Sequence, residues 1–230
     1  MINAIICITA ILPVTVLLWY IYRKDKDAPE PTSRLVLAFV LGIASVLVSM
    51  CISVPLAFMG LYPYEPTDVV EAVRLSFLGA AIPEEVAKFL MLWLLLRRNR
   101  YFDEKIDGIV YAVCVSMGFA ALENLMYLFQ NYDEFMSVGV ARAIFALPGH
   151  FCFGVLMGYY YSRLKICGHT STRDRILVLA APILAHGLYD SLLFAANVSE
   201  YLAFIFMIIF LVLCFKMWKY AKARIKEMQQ

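Results

Sequence analysis

Glu84, Glu85 and Lys88 sit in an apolar stretch, flanked by Leu75-Ser76-Phe77-Leu78 and Phe89-Leu90-Met91-Leu92-Trp93. If that stretch crosses a bilayer, each charge near the midplane costs about 2.5–3.5 kcal/mol to insert. Such groups persist where they meet partners or water, and paired carboxyls of unequal protonation can do general acid–base work. On a helix Glu84 and Lys88, four apart, share a face and pair, while Glu85 lies about 100° round and points to a different neighbour. A salt bridge serving assembly alone would explain one glutamate and not two. Further along lie Glu123-Asn124, Arg142, His150 after Pro148-Gly149, and His186 with Asp190 four residues on, where a carboxylate can fix the imidazole's orientation. Glu84, Glu85, Glu123 and Asp190 outnumber Lys88 and Arg142. That imbalance calls for retained protons, a protonated histidine or a bound cation.

The elements that must position these groups follow from composition. The 230 residues are 63% hydrophobic and 17% charged, with a mean hydropathy of +0.75; a soluble domain is closer to half apolar and a quarter charged. The chain is expected to be one all-α, polytopic membrane domain over 1–230. Seven segments have the length to cross about 30 Å of hydrocarbon: Ile2–Tyr22, Leu35–Met59, Val73–Leu96, Ile106–Phe129, Val138–Tyr161, Ile176–Ala196 and Tyr201–Trp218. The first is expected to be a retained helix, not a signal peptide. Pro83 and Pro148 fall just before polar residues, where a broken hydrogen-bond ladder would expose backbone near the site.

Alternate connections carry the positive charge. Arg23, Lys24, Lys26 and Arg34 follow the first span, Arg97, Arg98, Arg100 and Lys105 the third, and Arg163, Lys165, Arg173 and Arg175 the fifth. Five more lysines and arginines lie between Lys216 and Lys226, leaving only Arg74, Lys88 and Arg142 elsewhere. Positive charge stays inside, which places the N-terminus outside and the C-terminus in the cytoplasm. At about 1.5 Å per residue, Glu84, His150 and His186 then lie near mid-membrane. Glu123, Asn124, Arg142 and Asp190 lie roughly 6–12 Å outward. The site is expected between the third and sixth spans, in the outer half. Asp107 and Asp190 fall at opposite depths, which excludes an aspartyl dyad, and Asp107 is expected to be an interface or N-cap residue.

No His-Glu-x-x-His or Gly-x-Ser-x-Gly is present. No CxxC is present either, so a thiolate zinc site is not expected. Two histidines and three glutamates (Glu84, Glu85, Glu123, His150 and His186) can ligate zinc, although no local spacing argues for it. A proton- or cation-coupled transporter would also keep such groups within its helices, but usually with inverted repeats, which are not evident here. A seven-helix receptor would need larger cytoplasmic loops. The expected surroundings are a lipid bilayer, with no nucleic-acid partner.

Glu84-Glu85-x-x-Lys88, Asp107-Gly108-Ile109-Val110-Tyr111, Gly118-Phe119-x-x-x-Glu123-Asn124, Arg142, His150 with Phe153-Gly154-Val155, and His186-Gly187-x-x-Asp190 together resemble the PrsW family of bacterial membrane proteases, over roughly residues 80–195. The resemblance implies an endopeptidase making the first, extracytoplasmic cut in a single-span, membrane-anchored anti-sigma factor during envelope stress. Glu84, Glu85, Glu123, His150 and His186 would be catalytic, and Lys88, Asn124, Arg142 and Asp190 supporting. PrsW proteins are distantly similar to CAAX-prenyl proteases, with Glu-Glu-x-x-x-Arg, Phe-x-x-x-His and His-x-x-x-Asn. Here Lys88 stands one position early in place of Arg, Glu123 replaces His and Asp190 replaces Asn.

Overall fold

The computed structural model describes residues 2–25, 28–168 and 171–230; Lys26, in the first basic connection, lies outside them. Its regular elements are helical throughout. They are α1 (Ile2–Tyr22), α2 (Thr32–Phe58), α3 (Val69–Arg74), α4 (Ile82–Leu96), α5 (Asp107–Gln130), α6 (Phe135–Ala141), α7 (Leu147–Lys165), α8 (Thr172–Val198) and α9 (Glu200–Met228). Among the described residues six rods are long and apolar enough to cross a membrane: α1, α2, α5, Tyr132–Lys165 containing α6 and α7, α8 and α9. The seventh, from α3 through α4, is the one that carries Glu84, Glu85 and Lys88.

Most rods begin or end a few residues from the expected limits, and α9 runs ten residues past Trp218. Hydropathy marks only the apolar part of a helix, and a helix continues where polar side chains can reach water or each other. The basic ends gather on one side: Tyr111 bonds Glu30, Arg163 meets Asp174, and Gln229 Nε2 donates to the Lys24 carbonyl.

α5 is the central post, its residues from Asp107 to Ala121 buried without a break. Small residues let its neighbours close on it, as membrane helices require when burial alone gives no drive. A Cβ on Gly42 of α2 would fall 2.0 Å from the Val115 carbonyl oxygen, and one on Gly158 of α7 would fall 2.3 Å from that of Gly108. α9 is the opposite case, with Phe210, Ala221, Ile225 and Met228 its only buried residues.

Two rods are interrupted by π-helical turns, at Leu75–Ala81 and Arg142–Ala146. In each, the first residue after the turn bonds five back: the Ile82 N–H reaches the Phe77 carbonyl, and the Leu147 N–H that of Arg142. The next residue is proline both times. A proline has no N–H to give and its ring crowds the carbonyl four back, so widening the preceding turn relieves the clash without breaking the helix. The sequence indicates prolines near polar groups; the π turns are the form that the local opening takes.

Candidate active site

The first π turn ends where Glu84, Glu85 and Lys88 begin. Lys88 Nζ lies 2.9 Å from Glu85 Oε1 and 3.2 Å from Glu84 Oε2. The expected Glu84–Lys88 pair forms, but the same lysine also holds Glu85, so one cation accounts for both carboxylates. Glu85 does reach its different neighbour as well, with His186 Nδ1 2.9 Å from the same Oε1. The ammonium completes its shell with His150 Nδ1 at 3.2 Å and the Phe119 ring, 4.1 Å to the centroid. Lys88 and Glu85 are buried, at 1% and 0% exposure.

The second π turn starts at Arg142 and precedes His150 by two turns. Arg142 Nη2 sits 2.7 Å from Glu123 Oε2, and its Nε donates to Asn124 Oδ1 at 2.7 Å. Asn124 Nδ2 donates in turn to the Ala10 carbonyl. Asn124 is thus a fully buried clamp joining α1, α5 and the second π turn. His150 Nε2 lies 3.0 Å from the same Glu123 oxygen. Since Lys88 can only donate, His150 accepts at Nδ1 and donates from Nε2.

Residue Gly187 lets the Phe77 ring approach α8, because a Cβ there would fall 2.3 Å from it. This brings His186 beside Glu85. His186 Nε2 is 3.2 Å from Asp190 Oδ2 and 3.9 Å from Glu84 Oε2. Both ring nitrogens face carboxylates, and with those carboxyls ionised both bonds form only when the ring carries two protons. Phe153, three residues after His150, stacks on this ring at 4.6 Å and 15°. The charge imbalance is thereby largely met: Lys88, Arg142 and a doubly protonated His186 leave four carboxylates one negative charge in excess.

These groups surround a cavity of about 490 Å³. Glu84, Glu123, Arg142, His150, His186 and Asp190 face it; Glu85, Lys88 and Asn124 stand behind. Its apolar wall includes Phe145, Phe153 and Tyr189, and Met207 and Phe210 of α9, a helix the charge pattern does not implicate. Tyr127, one turn after Glu123, lies under Arg142 at 4.0 Å; its spacing is the signal that could have found it.

Asp107 takes a different part. Its Oδ2 accepts from the N–H groups of Asp103 and Glu104, so it orders the connection before α5 and does not cap the helix. The Asp107–Tyr111 motif thus belongs to a polar cluster with Glu30 at the basic end, far along α5 from Glu123.

A polar cavity lined by carboxylates and imidazoles among membrane-length helices is the kind of site that a membrane-embedded hydrolase requires. Residues 30–215 match the PrsW family of intramembrane metalloproteases, and the chain belongs to that family. It is an intramembrane protease and a multi-pass membrane protein. A protease PrsW from Bacillus subtilis (strain 168) is 33% identical over 222 residues, covering 96% of each chain. That of Oceanobacillus iheyensis is 37% identical over 185 residues, 80% of each. That of Clostridioides difficile (strain 630) is 32% identical over 211 residues, 90% of this chain and 85% of its own. No solved structure matches the chain.

The family designation implies a metal ion, and the donor chemistry here fits one. Glu84, Glu123 and His150 each offer an atom within 4.8 Å of the others, and all three face the cavity. His150 Nε2 faces Glu123 and the cavity, and it can ligate an ion once its proton moves to Nδ1, which then no longer accepts from Lys88. Glu84, Glu85 and His186 form a second such group, but Glu85 is closed off behind Lys88.

Proposed function

We propose that this protease makes an extracytoplasmic cut in a single-span, membrane-anchored anti-sigma factor, with a water activated by Glu84 as nucleophile. The chain is oriented with its N-terminus outside and its C-terminus in the cytoplasm, following its basic connections. The observation that carries the reading is that Glu84 and His186, Glu123 and His150 come from four rods to face one cavity.

Of the two adjacent glutamates, Glu84 is the general base. It faces the cavity, and its cationic neighbours are less close than those of Glu85. It takes the proton of the attacking water and returns it to the leaving amine. Glu123, fixed by Arg142 and His150, orients the water. His186, held at Nδ1 by Glu85, turns its Nε2–H from Asp190 to the oxyanion as charge develops. A metal ion held by Glu84, Glu123 and His150 would polarise the scissile carbonyl and acidify the water. Lys88 keeps Glu84 and Glu85 in place and offsets their charge.

The test is cleavage of a single-span anti-sigma reporter in cells producing the protein with Glu84→Ala or Glu85→Ala. Loss of cleavage at normal protein level is expected in both, and full cleavage with Glu84→Ala refutes the assignment.

A further inference from the structure

A second polar cavity, also of about 490 Å³, opens where the basic ends of α7, α8 and α9 meet. Arg163, Arg173 and Arg224 line it with Tyr159, Tyr160 and Tyr220. The Tyr159 hydroxyl accepts from Arg163 Nη1 at 3.2 Å and Arg224 Nη1 at 3.1 Å, holding two guanidinium groups beside each other. Asp174 and Glu227 each offset one of these arginines. Arg173 has no ion pair among the described residues, so the cavity keeps a positive excess. The Nε–H of Arg224 is buried without an acceptor.

This cavity continues into an apolar trough. Tyr220 also borders a hollow of about 260 Å³ between Leu156 and Met217. That hollow shares Cys152 and Met217 with a third, of about 250 Å³, which reaches Pro148 and Trp218. Cys152, Leu156, Tyr160 and Arg163 recur at helical spacing along one face of α7, so trough and cavity form one stripe. A helix with its side chains is about 10–12 Å across, too thick for hollows of this size; an extended hydrocarbon chain is not.

We propose that this stripe binds an anionic phospholipid, with the phosphate in the arginine–tyrosine cavity and one acyl chain along the α7–α9 trough. Tyrosines at the headgroup level and basic pockets between membrane helices are the chemistry that recognises such lipids. The trough ends at Phe145 and Tyr189, which also line the catalytic cavity, so a bound acyl chain forms part of the scaffold behind that wall. None of the arginines belongs to the proposed catalytic set, and the inference holds independently of it.

Native mass spectrometry of the full chain in detergent tests this, with phosphatidylglycerol, phosphatidylcholine and inorganic phosphate added separately. Phosphatidylglycerol should be retained over phosphatidylcholine. Arg173→Gln and Arg224→Gln should each weaken that retention about fivefold, and Leu156→Trp, which fills the trough, should weaken it too. Arg98→Gln, on the same basic side but outside the cavity, should not. Equal retention of both lipids overturns the proposal, as does an equal loss with Arg98→Gln. Unchanged lipid retention in Leu156→Trp while inorganic phosphate competes the lipid away overturns it in favour of a free-phosphate site. If Arg224→Gln fails to fold, Arg173→Gln, at an exposed position, decides the question alone.

Discussion

Lys88 touches both adjacent carboxylates and His150, so its removal should damage stability before chemistry. Lys88→Met takes the nearer cation from buried Glu85 and the pairing cation from half-buried Glu84, a loss of about 3–5 kcal/mol for a broken buried pair. The expected result is a marked fall in the unfolding temperature in detergent, whereas Glu84→Gln, at the cavity edge, should unfold near wild type and lose cleavage. Equal stability of Lys88→Met and wild type would show that the lysine is not the organising charge. At this scale the sequence was informative. Glu84, Glu123, Arg142, His150, His186 and Asp190 stand out as ionisable groups in apolar runs, and helical spacing alone yields the Glu84–Lys88 and His186–Asp190 pairs. It did not show that Glu85 shares Lys88, or that Tyr127 and Phe119 stack under the cations, because those contacts depend on how helices rotate against each other.

Helix rotation is where the two π turns act. Each inserts a wide turn before a proline and so turns the following residues relative to the preceding ones. Pro83→Ala restores a donor at the point of interruption and lets the rod return to regular α-helix. The expected outcome is normal accumulation with at least tenfold slower reporter cleavage, since a displacement of about 1 Å can cost 10²-fold; unchanged cleavage would show that the turn does not set the register. Prolines were legible in the sequence, but Pro13, Pro55 and Pro182 lie inside helices that stay α, so proline alone does not signal a π turn. Packing contributes its own prediction. A Gly42→Leu side chain would run into the α5 backbone at Val115 and should lower stability by about 1–3 kcal/mol, measured as earlier thermal unfolding.

Across the whole molecule, the charge at the basic end makes stability depend on pH. Glu30 lies outside the membrane spans, buried beside Tyr111, Asp107 and Asp25, and burial raises it from 4.5 to about 8. A raised acid is most favourable to the fold while protonated, so its contribution is present below about pH 4.5 and is lost as pH rises through 8. Glu30→Gln should therefore flatten the decline in unfolding temperature between those limits, and an unchanged decline would assign it to another group. The seven-rod plan was legible from hydropathy and the alternation of basic connections, whereas the α9 contribution to the wall of the candidate site was not, because Met207 and Phe210 are indistinguishable from lipid-facing residues in the sequence. Glu84 activating water in the shared cavity is the step on which the proposed cleavage depends. Its most direct test is to incubate the purified chain in detergent, without any ion gradient, with a single-span anti-sigma factor and map the products by mass spectrometry. One cut on the extracytoplasmic side of the substrate, absent with Glu84→Gln, is predicted; an intact substrate, or the same cut made by Glu84→Gln, would contradict it.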